Sequence, residues 1–150
     1  MARVYALRLA VEKAQAVARE ADEVVVAGDT TVAVGRRILP QAADAEMQRG
    51  FLELLSGRRH HVWSAVCVID TEGRVRSRIS DSIVRFKRLS AAEIDAYLAS
   101  GEGLGKAGGY AIQGRAEALI DWMAGSHSGV VGLPLYETRA LLRASGYPVE

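Results

Sequence analysis

Three side chains in this 150-residue chain have types and settings that could do chemistry. Asp29 directly follows the apolar run EVVVAG (23–28), and ligands of α/β sheets gather beyond the carboxyl ends of strands. A carboxylate there can hold a hard cation through oxygen or accept a proton from water as a general base. The same position also suits a turn aspartate that bonds nearby backbone N–H groups. Lys106 lies in SGEGLGKAGG (100–109), a stretch like a phosphate-binding loop. It is not a Walker A motif, which needs glycine and a hydroxyl where Ser100 and Ala107 stand. Permissive backbone N–H groups beside one cation still favour an anion, the alternative being a solvated loop lysine. Gln113, in YAIQG (110–114), is an amide in an otherwise apolar, strand-like stretch. It offers donors and an acceptor, which suits reading a nucleobase edge, or else it is an outward-facing strand residue.

Other chemistries find no footing. His60, His61 and His127 have no ligand spacing, and adjacent histidines in a strand face opposite sides, so no zinc site is expected. Ser64, Ser126 and Ser128 lack a nucleophile-elbow sequence. Trp63, Trp122, Tyr97 and Phe51 read as packing rather than stacking platforms. Cys67 is the only cysteine, which rules out an intramolecular disulfide and a thiolate metal cluster. A net charge of +1 gives no support to binding a nucleic-acid polymer or a membrane surface. No apolar run approaches the ~20 residues of a membrane helix, and the N-terminus lacks a signal-peptide core. A cytoplasmic setting is expected.

The elements that must position these residues follow from periodicity. Val4, Leu7, Val11, Ala14 and Ala18 recur at helical spacing, so the chain is expected to open inside a helix. Glu23 to Gly28 reads as a buried central strand, with a second run from Thr31 to Val34 and a turn at Gly35-Arg36-Arg37. Met47, Phe51, Leu54 and Leu55 share a helical face within Asp44 to Leu55, and Gly57 suits its C-terminal cap. Val62 to Ile69 and Arg74 to Lys87 read as a hairpin around Asp70-Thr71-Glu72-Gly73. Ser90 and Glu93 form a capping box for the helix holding Ile94, Tyr97 and Leu98. A glycine-rich segment over 101–114, a strand over Ala118 to Met123 and a last helix from Pro134 complete the chain. With 49% apolar residues and no internal linker, this is a single α/β domain over residues 1–150, expected to hold a mixed sheet flanked by helices.

Six segments in order resemble the Maf-like nucleotide pyrophosphatase family: RLAVEKA (8–14), VVVAGDTTVAVGRRIL (24–39), LLSGRRHHVW (54–63), LSAAEIDAYLASGE (89–102), GKAGGYAIQG (105–114) and GSHSGVVGLPLYET (125–138). The resemblance implies a deep nucleotide-binding cleft, as in inosine triphosphate pyrophosphatases. It implies a divalent cation, Mg²⁺ or Mn²⁺, and hydrolysis of a nucleoside triphosphate substrate to the monophosphate and pyrophosphate. By motif, Asp29 matches the family's catalytic, metal-holding acid, and Lys13 and Lys106 match lysines that line the site. Thr30 and Gln113 match positions tied to substrate choice, similar to the branch that prefers dTTP and UTP over 7-methyl-GTP. Such an enzyme cleanses nucleotide pools, and some members are linked to arrest of septum formation. Positioning and charge neutralisation dominate phosphoryl transfer, so a carboxylate with lysines is an adequate toolkit.

Two departures from the family pattern bear on activity. No Ser-x-Ser-Pro-Arg-Arg loop precedes Arg3, so part of the site and one strand are expected to be missing from the N-terminus of this domain. Gln41 stands where the pattern has lysine; its amide can bond a phosphate but cannot neutralise it. The expectation is a weak catalyst, with an uncovered sheet edge that favours self-association, as in a homodimer. The alternative is an inactive remnant that binds nucleotides or a protein partner, linked to septum formation.

Overall fold

Glycine-bearing turns reverse this chain twice within a few residues, and the sheet takes its form from them. The computed structural model describes all residues, 1–150. In chain order its elements are α1 (Ala2–Ala16), β1 (Val25–Val34), β2 (Arg37–Leu39), α2 (Ala45–Leu55), β3 (Arg59–Ile69), β4 (Val75–Phe86) and α3 (Ala91–Ala99). A 3-10 turn (Arg115–Leu119), β5 (Ile120–Ala124), α4 (His127–Val131) and α5 (Leu135–Ala144) follow. The strands form one sheet in the order β2-β1-β3-β4-β5. The α/β class stands, but every strand pairing is antiparallel where the sequence suggests a mixed sheet. The reason lies in the connections. Gly35 (φ 56°) and Gly73 (φ 82°) sit in turns too short for the crossover that parallel strands need.

The second hairpin is held at its tip by Asp70. Its Oδ1 accepts the N–H groups of Glu72 and Arg74 at 2.9 Å each, and its Oδ2 pairs with Arg76 at 2.7 Å. β3 lies at the centre of the sheet, and from Ser64 to Ile69 it is buried on both faces. On one face Val32, Val62, Val84 and Phe86 pack with α2 and α3 in the main core, while Val66 and Val68 meet Leu141 of α5. On the other face Val25, Ala65, Cys67 and Ile69 receive α1.

Two expectations about positioning change. α1 buries Ala6, Ala10 and Ala14, spaced four apart, while Val4 and Ala18 of the predicted face are exposed. Alanine has no side chain beyond Cβ, so this face lets the helix lie close to the strands. β1 is also one continuous ten-residue strand rather than two runs, so Asp29 lies mid-strand, paired with Ala65 of β3. β2 pairs only with Val32–Val34, so Val25 to Thr31 have a strand neighbour on the β3 side alone. Asp29 therefore reaches open space through a strand edge, not a strand end.

Candidate functional site

Two cavities meet at that edge of β1. One, about 290 Å³, opens on the side of α4 and the glycine-rich segment; the other, about 450 Å³, opens on the side of α1. Lys13, Asp29, Thr30, Gln41 and Ala107 line both, so they form one bent cleft that wraps around the strand. Lys106 and Gln113 line the first chamber. All six residues singled out by the sequence thus border a single cleft, although they span more than two thirds of the chain.

Alternation along β1 distributes the roles. Asp29 points to the α1 face, and its side chain is 11% exposed. Lys13, in the last turn of α1, places its Nζ 2.6 Å from Asp29 Oδ1, and the Thr31 hydroxyl donates to Oδ2 at 3.4 Å. Thr30 points the opposite way. Its hydroxyl meets Ser64 Oγ at 2.9 Å and donates to Gly132 O at 3.3 Å, while Ser64 Oγ donates to Gly129 O at 2.5 Å. Ser64 is fully buried and anchors Thr30 to the segment around α4. It gives no nucleophile, as the sequence indicated.

The glycine-rich segment forms the far wall. Ala42 N–H donates to Lys106 O at 3.1 Å, Gly105 N–H to Ala42 O at 2.8 Å and Gly108 N–H to Leu39 O at 3.1 Å. These bonds set Gln41 beside Ala107 and bring the Lys106 and Gln41 side chains to the same rim. Gly108 carries φ 71°, and a Cβ there would press against Val32, so only glycine lets the loop lie on β1. Lys106 is exposed. Gln113 is exposed in a turn rather than in the strand-like stretch expected, because its neighbours bond to side chains instead of a strand.

Sequence reasoning passed over the pair beneath Tyr110, which lines the first chamber. Tyr110 and His60 are buried, and His60 Nε2 lies 2.6 Å from the Tyr110 hydroxyl. The imidazole also stacks on Phe86. Burial, reinforced by neighbouring His61, holds the His60 pKa down to about 4. Burial, and then the nearby Tyr97, pushes the Tyr110 hydroxyl well above its ordinary range. His60 is therefore neutral, and its Nε2 accepts the tyrosine proton. The signal available in sequence was only a histidine inside an apolar strand.

Asp29 is the one carboxylate that lines either chamber, and no cluster of three or more His, Cys, Asp or Glu is present. That donor set does not make an all-protein metal cage. It does fit Mg²⁺ or Mn²⁺, which commonly take one or two carboxylates and complete their shell with water and substrate phosphates. A cleft with one carboxylate, two lysines and amides on its rim is that of a protein that handles a phosphorylated ligand with a cation.

The comparisons agree with this class and narrow it. Residues 1–145 match the family described as Maf-like protein, and the chain belongs to that family. It is 68% identical over 147 residues to the dTTP/UTP pyrophosphatase of Sphingopyxis alaskensis, covering 98% of this chain and 77% of that protein. The dTTP/UTP pyrophosphatase of Novosphingobium aromaticivorans is 61% identical, over 98% of this chain and 74% of its own length. A nucleoside triphosphate pyrophosphatase of Anaplasma phagocytophilum is 53% identical, over 97% of this chain and 75% of its own length.

Proposed function

We propose that this protein hydrolyses nucleoside triphosphates, dTTP and UTP foremost, to the monophosphate and pyrophosphate, cleansing nucleotide pools in the cytoplasm. The observation that carries this reading is the convergence of Lys13, Asp29, Thr30, Gln41, Lys106 and Gln113 on one cleft. The pyrophosphatase names of relatives up to 68% identical favour it over a remnant that binds nucleotide without cleaving it.

In this reading the triphosphate lies across the edge of β1, with its base toward Gln113 and Thr30 and its phosphates toward Lys13, Gln41 and Lys106. Lysine ammonium groups offset the charge of the phosphates, and the Gln41 amide donates to them without neutralising. Asp29 holds the divalent cation together with phosphate oxygens; when bound, that cation neutralises charge on the triphosphate. Lys13 keeps the half-buried Asp29 ionised in the free protein and turns to the phosphates as substrate arrives. Asp29 also takes the proton of the attacking water as a general base. The new O–P bond forms at the α-phosphorus, the bond to the β-phosphate oxygen breaks, and pyrophosphate departs.

The test is pyrophosphate release from dTTP, UTP and other nucleoside triphosphates with Mg²⁺ or Mn²⁺, for the parent and Asp29→Asn. The expected result is release by the parent, greatest with dTTP and UTP, and none by the variant with an unchanged circular dichroism spectrum. No release by the parent from any nucleotide would refute the function. Parental rates in Asp29→Asn would remove Asp29 from the chemistry.

A further inference from the structure

Gln113 borders the cleft, but its aim is set by residues that do not. The turn that carries it closes on itself through Gly114 N–H donating to Ala111 O at 3.2 Å. At the start of the turn, Ala111 N–H donates to the buried Tyr97 hydroxyl at 3.1 Å. At its end, Arg115 N–H donates to Glu102 Oε1 at 2.9 Å. Gly114 lies so close against Glu102 that a Cβ there would overlap the carboxylate. Tyr97 sits in α3 and Glu102 just beyond it, so both ends of the turn are fixed to one rigid element.

Glu102 is an unusual group to spend on a backbone contact. Its Oε2 is buried without a hydrogen-bond donor, and the Tyr97 hydroxyl faces the same carboxylate without closing a bond of normal geometry to that oxygen. Burial pushes the Glu102 carboxyl up, but the N–H groups of Arg115 and Ala116 and the Tyr97 hydroxyl outweigh it and leave it below its ordinary value. A buried, ionised carboxylate is costly unless its partners are fixed, so the turn and the carboxylate hold each other in place. Neither Glu102 nor Tyr97 lines the cleft.

We propose that Glu102, seconded by Tyr97, is a positioning residue for base recognition: it clamps the 111–115 turn so that the Gln113 amide meets the base in one orientation, and it sets nucleotide selectivity without touching substrate. This role rests on the proposed function. A side-chain amide on a loose turn satisfies many polar edges, whereas a fixed one leaves a mismatched edge unpaired and so rejects it.

The experiment compares the parent, Glu102→Ala and Glu102→Gln for kcat and KM on dTTP and dCTP. It adds inhibition by tripolyphosphate, the charged chain without a base, and amide exchange at Gly114 and Arg115. Glu102→Ala should raise KM for dTTP on the order of tenfold and erode the preference for dTTP over dCTP. Its kcat and its inhibition by tripolyphosphate should stay at parental values, and exchange should quicken in the turn but not in β3. Glu102→Gln keeps an oxygen for Arg115 N–H and should restore the preference. Should Glu102→Ala fail to fold, Tyr97→Phe removes only the acceptor for Ala111 N–H and should show the same pattern. An unchanged dTTP-to-dCTP ratio in an active protein would overturn the clamp. So would equal loss of dTTP and tripolyphosphate, or a Glu102→Gln variant as impaired as Glu102→Ala. A parent that releases no pyrophosphate would instead overturn the function beneath it.

Discussion

Acid should loosen the floor of the cleft through His60. In the fold this imidazole accepts the Tyr110 hydroxyl, stacks on Phe86 and leaves Nδ1 buried without a partner. Its pKa is lowered from 6.5 to about 4, chiefly by burial. Between those values the unfolded chain binds a proton that the folded chain refuses, so stability is complete above pH 6.5 and falls as pH drops toward 4. At about 1.4 kcal/mol per pH unit, the gap amounts to about 3 kcal/mol. That is a large share of the ~5–15 kcal/mol that holds a typical domain together. The assay is urea unfolding at neutral pH and near the bottom of this window, followed by the fluorescence of Trp63 and Trp122. The comparison is His60→Gln, whose amide oxygen can still accept the Tyr110 hydroxyl but does not titrate. The parent should lose about 3 kcal/mol more than the variant on acidification. Glu93, held down to about 2 first by Lys87 and then by its cap, loses its contribution only below its ordinary value of 4.5 and equally in both proteins. The same acid loss in parent and variant would refute the reasoning.

Three further outcomes are expected. Lys13→Met, which removes the ammonium 2.6 Å from Asp29, should lower kcat/KM for dTTP by about 10²-fold with little change in melting temperature, as steady-state kinetics and calorimetry would show. Gln113→Glu can no longer donate from that side chain when ionised, so it should weaken dTTP and UTP by about 1–3 kcal/mol while sparing other nucleotides; equal losses across a nucleotide panel would remove Gln113 from base reading. Gly108→Ala places a methyl against Val32 at φ 71° and should cost about 1–3 kcal/mol in denaturant titrations, with a rise in KM as the Lys106 loop lifts.

Local rules made much of this legible in sequence. The Ser90–Glu93 capping box forms in full, and the Asp70–Gly73 reversal closes the hairpin as expected. Both are decided by neighbours a few residues apart. Asp29, Lys13 and Lys106 could be named from motifs, but their meeting depends on a strand edge that pairing with β3 and the shortness of β2 create together. The polar run Asp29-Thr30-Thr31 looks like a strand break in a linear reading. In the fold it is a strand whose alternate sides both find hydroxyl, carbonyl or ammonium partners. The face of α1 was misread because periodicity favours the larger apolar residues, whereas the sheet selects the smallest ones. Glu102 and Ser64 were invisible as functional residues because each acts on backbone or side chains far along the chain.

That alanine face has a mechanical consequence. Large side chains packed between two elements form a compliant layer: rotamers adjust, and the spacing drifts with temperature or with a nearby substitution. Ala6, Ala10 and Ala14 leave no such layer between α1 and the strands, so the spacing there rests on a hard stop. Lys13 is mounted on the helix, Asp29 on the strand, and the gap between their charges inherits that stop as its reference. Imperfections accumulated elsewhere in the core never enter this measurement. Positions that no nucleotide ever touches thereby calibrate the distance on which the cleft depends.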